Sequence, residues 1–177
     1  MVGDFFVSLE QLDRIHNLKT ASLFKWCIRA PFIAQERYDQ NLHQVLEEMG
    51  TLLGQLFQRS DDLLDYDIRN DEGKAILGDL KSGYLNSFGA FMCRQKTRQQ
   101  IDNIVKSRRL EDLYASLGGK DQFDQQVAEF DRLNQGLIDL YEHHLKRLEA
   151  MLKPSEQGLI KQLRPLTQIL YWRKKPS

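Results

Sequence analysis

Between Leu42 and Leu64 the apolar residues fall at intervals of mostly three and four: Leu42, Val45, Leu46, Met49, Leu52, Leu53, Leu56, Phe57, Leu63 and Leu64. That is the period of an α-helix that buries one face, so this stretch is bound to pack helix against helix. Gly50 and Gly54 stand one turn apart within it, a pair that lets a second helix approach closely. The rest of the chain follows the same pattern. Glycine is sparse, proline is confined to positions 31, 154, 165 and 176, and no segment alternates apolar and polar residues for long.

The expected order of elements follows. Ser8-Leu9-Glu10-Gln11 has the form of a capping box and opens a helix that kinks or stops at Pro31. A second helix runs from near Asp39 to about Tyr66. Residues 67–83 read as a loop, followed by helices over Leu85–Gln95, Arg98–Ser107 and Leu110–Leu117, the last stopped by Gly118-Gly119. A long helix covers Asp121–Lys153, with Phe123, Val127, Phe130, Leu133, Leu137, Leu140, Tyr141 and Leu145 on its apolar side. A final helix opens at Pro154 or Ser155 and ends near Tyr171. The fold class is all-α, an antiparallel helical bundle, expected as one domain over residues 1–177.

Composition narrows the function classes. The chain has 177 residues, is 41% hydrophobic and carries no net charge, an ordinary globular balance that singles out no partner. The apolar runs are too short for a membrane span. The opening MVGDFFVSLEQ lacks a basic stretch followed by an apolar one, so no secretory signal is expected. Cys27 and Cys93 form no CxxC pair and suit a reducing cytoplasm, with both thiols in the core. The bases between Arg94 and Arg109 are not interleaved with aromatics, so they read as a solvated helix face and not as a nucleic-acid surface. His143 and His144 lack metal-ligand spacing and read as surface residues, whereas Phe24, Trp26 and Phe32 read as core packing or as the lining of an apolar cavity.

The second helix ends in Ser60-Asp61-Asp62-Leu63-Leu64-Asp65-Tyr66-Asp67. At 100° per residue, Asp61, Asp62 and Asp65 share one arc of the surface. Two carboxylates about 4 Å apart repel by roughly 4 kcal/mol at an effective dielectric near 20, and the helix C-terminus disfavours anions further. A hard divalent cation relieves both effects, and carboxylates with substrate phosphates suit Mg²⁺. A solvated acidic helix end is the alternative. An EF-hand is excluded, because the loop position that needs glycine holds Asn70 or Glu72, depending on where the loop starts. Cations for a diphosphate come from Lys19-Thr20 and Gly73-Lys74. If the first helix continues past Pro31 to about Ala34, the outward leg from Lys19 is about 24 Å and the return from near Asp39 to Asp61 about 33 Å, which in an antiparallel pair would bring the two within about two turns.

Taken together, KTASLF, the run G-x-x-L-G-x-L-F-Q followed by DDLLD, and GKAILGDL-x-x-G resemble the trans-isoprenyl (polyprenyl) diphosphate synthase family. The resemblance implies the C-terminal part of the isoprenoid synthase fold. It implies Mg²⁺-dependent condensation of an allylic diphosphate with isopentenyl diphosphate. Asp61, Asp62 and Asp65 would form the second aspartate-rich motif and bind metal, with Asp61 the closest ligand. Lys19, Thr20, Gln58 and Lys74 would meet the substrate diphosphate, and Lys19, Thr20, Asp61 and Lys74 would carry catalysis.

The departures are specific. No other DDxxD occurs, and where the family pattern G-K-x-T has its lysine this chain has Tyr84, in Gly83-Tyr84-Leu85-Asn86. The expectation is therefore a chain that supplies the second aspartate site and does not turn over alone. It would work as a homodimer or with a separate N-terminal half. The alternative is a non-catalytic helical partner or regulatory subunit of a prenyl diphosphate synthase.

Overall fold

The computed structural model describes residues 7–67 and 76–171. Among them every regular element is helical: α1 (Leu9–Ala34), α2 (Gln40–Leu64), α3 (Gly78–Lys81), α4 (Ser87–Cys93), α5 (Arg98–Val105), α6 (Leu110–Leu117), α7 (Lys120–Met151), a 3₁₀ turn (Pro154–Glu156), α8 (Gly158–Leu163) and α9 (Leu166–Leu170). The described residues pack as two compact units. The first comprises 14–60 and 134–171, the second 7–13, 61–67 and 76–133.

In the first unit α1 and α2 run antiparallel in near backbone contact. A Cβ on Gly50 would stand 2.6 Å from the Cα of Lys25, and one on Gly54 2.4 Å from the Cα of Ala21. The glycine pair thus sets the helix separation, as its one-turn spacing predicts. Leu42, Val45, Leu46, Met49, Leu52 and Leu53 then meet Tyr141, Leu145 and Leu148 of α7 and Ile160 and Leu163 of α8 in one core. At about 25 cal/mol per Å² of apolar surface removed from water, these side chains supply most of the unit's cohesion. The start of α2 is capped by Asp39, whose Oδ1 accepts from the Leu42 N–H at 2.7 Å.

The second unit is built around aromatic rings. Phe88 meets Tyr66 edge-on at 5.0 Å between centroids and Phe130 at 5.3 Å, while Phe91 lies 5.0 Å from Phe130. Such offset and T-shaped pairs add to simple burial. All seven residues of α4 are buried, which makes it the hub of the unit. The expected capping boxes at Ser8 and stop at Gly118 are present: Ser8 and Gln11 exchange side-chain and backbone bonds, and Gly118 sits at φ 98.

Several expectations are corrected. At Pro31, where the sequence leaves a kink or a stop open, α1 does not stop but runs on to Ala34. The stretch read as loop contains α3, and the final helix is three short pieces broken at Gln157 and at Arg164-Pro165. Cys27 is exposed while Cys93 is buried. Trp26 is 66% exposed, and with Ile15, Leu18 and Leu23 it stands on the open side of α1. His144 is buried, not on the surface, and Leu133 and Leu140 are exposed although their spacing put them on the apolar side of α7. Among the described residues no helix is long and apolar enough to cross a membrane.

Candidate functional site

In the first unit the residues expected to meet a diphosphate do come together in part. Thr20 sits on α1 and Gln58 on α2, and the Thr20 hydroxyl donates to Gln58 Oε1 at 3.2 Å across 38 residues of sequence. The contact is possible because Gly54, one turn before Gln58, lets the two helices close up. Lys19 precedes Thr20 and its side chain is exposed. The next residue of α2, Arg59, is buried. Its Nη1 donates to Asn134 Oδ1 at 2.9 Å, and Asn134 Nδ2 donates to the Tyr171 hydroxyl at 2.9 Å. This chain of polar groups pins α2, α7 and the end of α9 in the unit's interior.

The aspartates lie in the second unit. Asp61 is half-buried, and Asp62 and Asp65 are buried at 5% and 7% exposure. Their surroundings explain how charge is tolerated there. The N–H groups of three successive residues point at Asp65. Leu77 donates to its main-chain oxygen at 2.7 Å, Gly78 to Oδ1 at 2.8 Å and Asp79 to Oδ2 at 3.2 Å. Leu77 adopts a left-handed conformation, φ 57, which turns these amides to one side as in an anion nest. Asp62 Oδ2 accepts from the Ser87 N–H at 2.8 Å.

Asn86 joins the two aspartates' surroundings. Its amide nitrogen donates to the Asp62 main-chain oxygen at 3.1 Å and to Asp79 Oδ2 at 2.8 Å. Its Oδ1 accepts from the Gly89 N–H at 3.0 Å and from the Tyr66 hydroxyl at 3.2 Å. All four hydrogen-bonding positions of the side chain are used. The Tyr66 hydroxyl is held far above its ordinary pKa, chiefly by burial and then by Asp65, Asp79 and Asp62, so it stays a donor at any ordinary pH.

A Mg²⁺ site built from three converging carboxylates does not fit this arrangement. Among the described residues no three metal-ligating side chains gather closely enough to hold an ion, and both oxygens of Asp65 accept from backbone amides. Lys74 lies outside the described residues. Tyr84, in the place of the family's second lysine, is 71% exposed. The residues that the sequence reading passed over are Asn86, Asp79, Leu77 and Asn134. Asn86 was open to discovery as an N-cap three residues before Gly89. Nothing in the sequence marks Leu77 as left-handed.

The family comparison bears on the same stretch. The family model for polyprenyl synthetase matches residues 3–116, which takes in KTASLF, both glycines, the aspartates and α3 to α6. The farnesyl diphosphate synthase of Haemophilus influenzae is 33% identical over 104 residues, which is 56% of this chain and 35% of that relative. The chain thus spans about a third of the curated relative it matches. No solved structure gives a significant match. With the motifs, their order and the helices that carry them all inside the matched region, the chain belongs to the polyprenyl synthetase family.

Proposed function

We propose that this chain serves isoprenoid biosynthesis by binding the diphosphate of a prenyl substrate, as part of an apparatus that condenses an allylic diphosphate with isopentenyl diphosphate. The observation that carries the reading is the Thr20–Gln58 hydrogen bond, which joins two motif residues far apart in sequence next to Lys19. Thr20 holds the carbonyl end of Gln58, so the amide nitrogen is the end presented away from it. A lysine ammonium and an amide N–H are donors that suit a diphosphate, and the Thr20 hydroxyl, whose one proton goes to Gln58, sets the direction of that amide. Lys19 balances the charge that grows on the departing group, and Gln58, held by Thr20, orients it. Lys74 is assigned to the same group by its place in the motif. Mg²⁺ neutralises diphosphate in such chemistry, and Asp61 is the carboxylate we assign to it. We assign the chain a partner, a second copy of itself or another polypeptide.

Calorimetric titration with inorganic pyrophosphate and Mg²⁺ tests the reading. We expect saturable binding, weakened at least fivefold by Lys19→Ala and by Gln58→Ala. An absence of heat at millimolar pyrophosphate would overturn it. With radiolabelled isopentenyl diphosphate and an allylic primer, the isolated chain should form no product.

The exposed Tyr84 favours a second reading. A hydroxyl cannot replace the lysine charge there, and a non-catalytic helical partner or regulatory subunit of a synthase has no need of that charge. This reading expects no pyrophosphate binding and a measurable effect on the rate of a complete synthase.

A further inference from the structure

We propose that Asp62 and Asp65 are fold-bearing carboxylates, which dock residues 77–79 and 86–87 onto the end of α2, and that neither ligates a metal. The assignment of Asp61 to a cation rests on the function proposed above. The anchoring roles of its two neighbours do not.

The argument begins with the helix end. The last carbonyls of α2 have no partner within the helix, and Leu63, Leu64 and Tyr66 at this end are buried. The chain returns here twice. On the first return, at Leu77–Asp79, the main-chain and side-chain oxygens of Asp65 accept three successive N–H groups. On the second, at Asn86–Ser87, the main-chain oxygen of Asp62 accepts from the Asn86 amide and its carboxylate from the Ser87 N–H. Each aspartate therefore uses backbone and side chain together as a two-point clamp. The fit around Asp65 is tight, since a Cβ on Gly78 would come 3.2 Å from its Oδ1.

Mg²⁺ demands about six oxygens near 2.0–2.1 Å and keeps several waters. Such an ion at Asp65 would have to share carboxylate oxygens that already accept the Gly78 and Asp79 amides, and drawing those oxygens toward it would weaken both bonds. A left-handed Leu77 is a further cost, sustained only while those amides have an acceptor. Backbone recognition thus gives the second and third acids of the motif a role in the fold. Asparagine or alanine at either place could not accept in the same way with the same charge.

Residue-resolved hydrogen exchange on the folded chain provides the test. In Asp65→Ala, exchange at the Gly78 and Asp79 amides should rise at least tenfold while Ser87 changes less. In Asp62→Ala the order should reverse, and Asp61→Ala should move none of the three. A second arm uses the wild-type chain with millimolar Mg²⁺ and pyrophosphate, where all three amides should keep their exchange rates within twofold. Unchanged protection in the Asp62 and Asp65 variants, or a tenfold loss of protection when Mg²⁺ is added to the wild type, would overturn the proposal. If the variants do not fold, the wild-type arm decides. If pyrophosphate fails to bind, the function proposed above falls, and the variants still report on the clamps.

Discussion

Ala21 and Gly54 face each other across α1 and α2 so closely that a Cβ on Gly54 would lie 2.4 Å from the Ala21 Cα and 2.6 Å from its Cβ. Two opposing effects meet in Gly54→Ala. Alanine in a helix interior gains about 1 kcal/mol over glycine, while forcing a methyl into closed packing costs about 1–3 kcal/mol, occasionally more. Because the first obstacle is backbone, the clash wins. We expect a net loss of about 2 kcal/mol or more, measured as a lower urea midpoint. Adding Ala21→Gly should rescue only part of it, since the Cα remains in the way.

The Arg59–Asn134–Tyr171 chain yields a second prediction. Asn134→Ala removes an acceptor from a buried guanidinium and a donor from a buried hydroxyl. A loss of about 2–3 kcal/mol in denaturant unfolding is expected, and about 1 kcal/mol for Tyr171→Phe. The larger loss belongs to the residue in the middle because its removal breaks two bonds.

Stability should also fall in mild acid because of His144. Its pKa is lowered, first by burial and also by Arg147 and His143, against an opposing pull from Glu48. Its Nδ1 lies 3.2 Å from both Arg147 Nη1 and Glu48 Oε2, and the folded ring binds a proton less readily than a free imidazole. An unfolded chain therefore takes up a proton near the ordinary value of 6.5 while the folded chain does not. The contribution is present above that value and is lost as the pH falls below it, levelling off under the folded pKa. Urea midpoints across this range should slope less in His144→Asn than in the wild type.

Tyr84 offers a gain-of-binding experiment. It is mostly exposed, so Tyr84→Lys should leave stability within about 0.5 kcal/mol. If the chain binds diphosphate as proposed, the restored cation should tighten pyrophosphate affinity by about threefold to tenfold, an effect that weakens with salt. Calorimetry at two ionic strengths measures both.

The helices themselves were largely legible in the sequence. The apolar spacing of α2, the Ser8 box and the Gly118 stop all come from local chemistry that a sequence displays. Pro31 left a kink or a stop open because its cost depends on its surroundings. The carbonyl it leaves unpaired belongs to Cys27, an exposed residue, and Phe32 just beyond it is buried and holds the last turn of α1 in place. Trp26 misled for a related reason, since a helix face records what it could bury and not what covers it. At the acidic end, electrostatics showed that Asp61, Asp62 and Asp65 needed compensation. It did not show that amides from residues 78, 79 and 87 provide it for two of them, because those contacts are long-range and depend on backbone geometry at Leu77.

The unequal thiols give this molecule a built-in chronometer. Cys27 is open to reagents, whereas Cys93 is sealed within α4 and its pKa is pushed up to about 12 by burial. A maleimide dye should decorate Cys27 at once and then wait on Cys93, which reacts only when the unit around the aspartates breathes apart. The delay between the first and second adduct, followed by mass spectrometry, times that opening in the unmodified sequence.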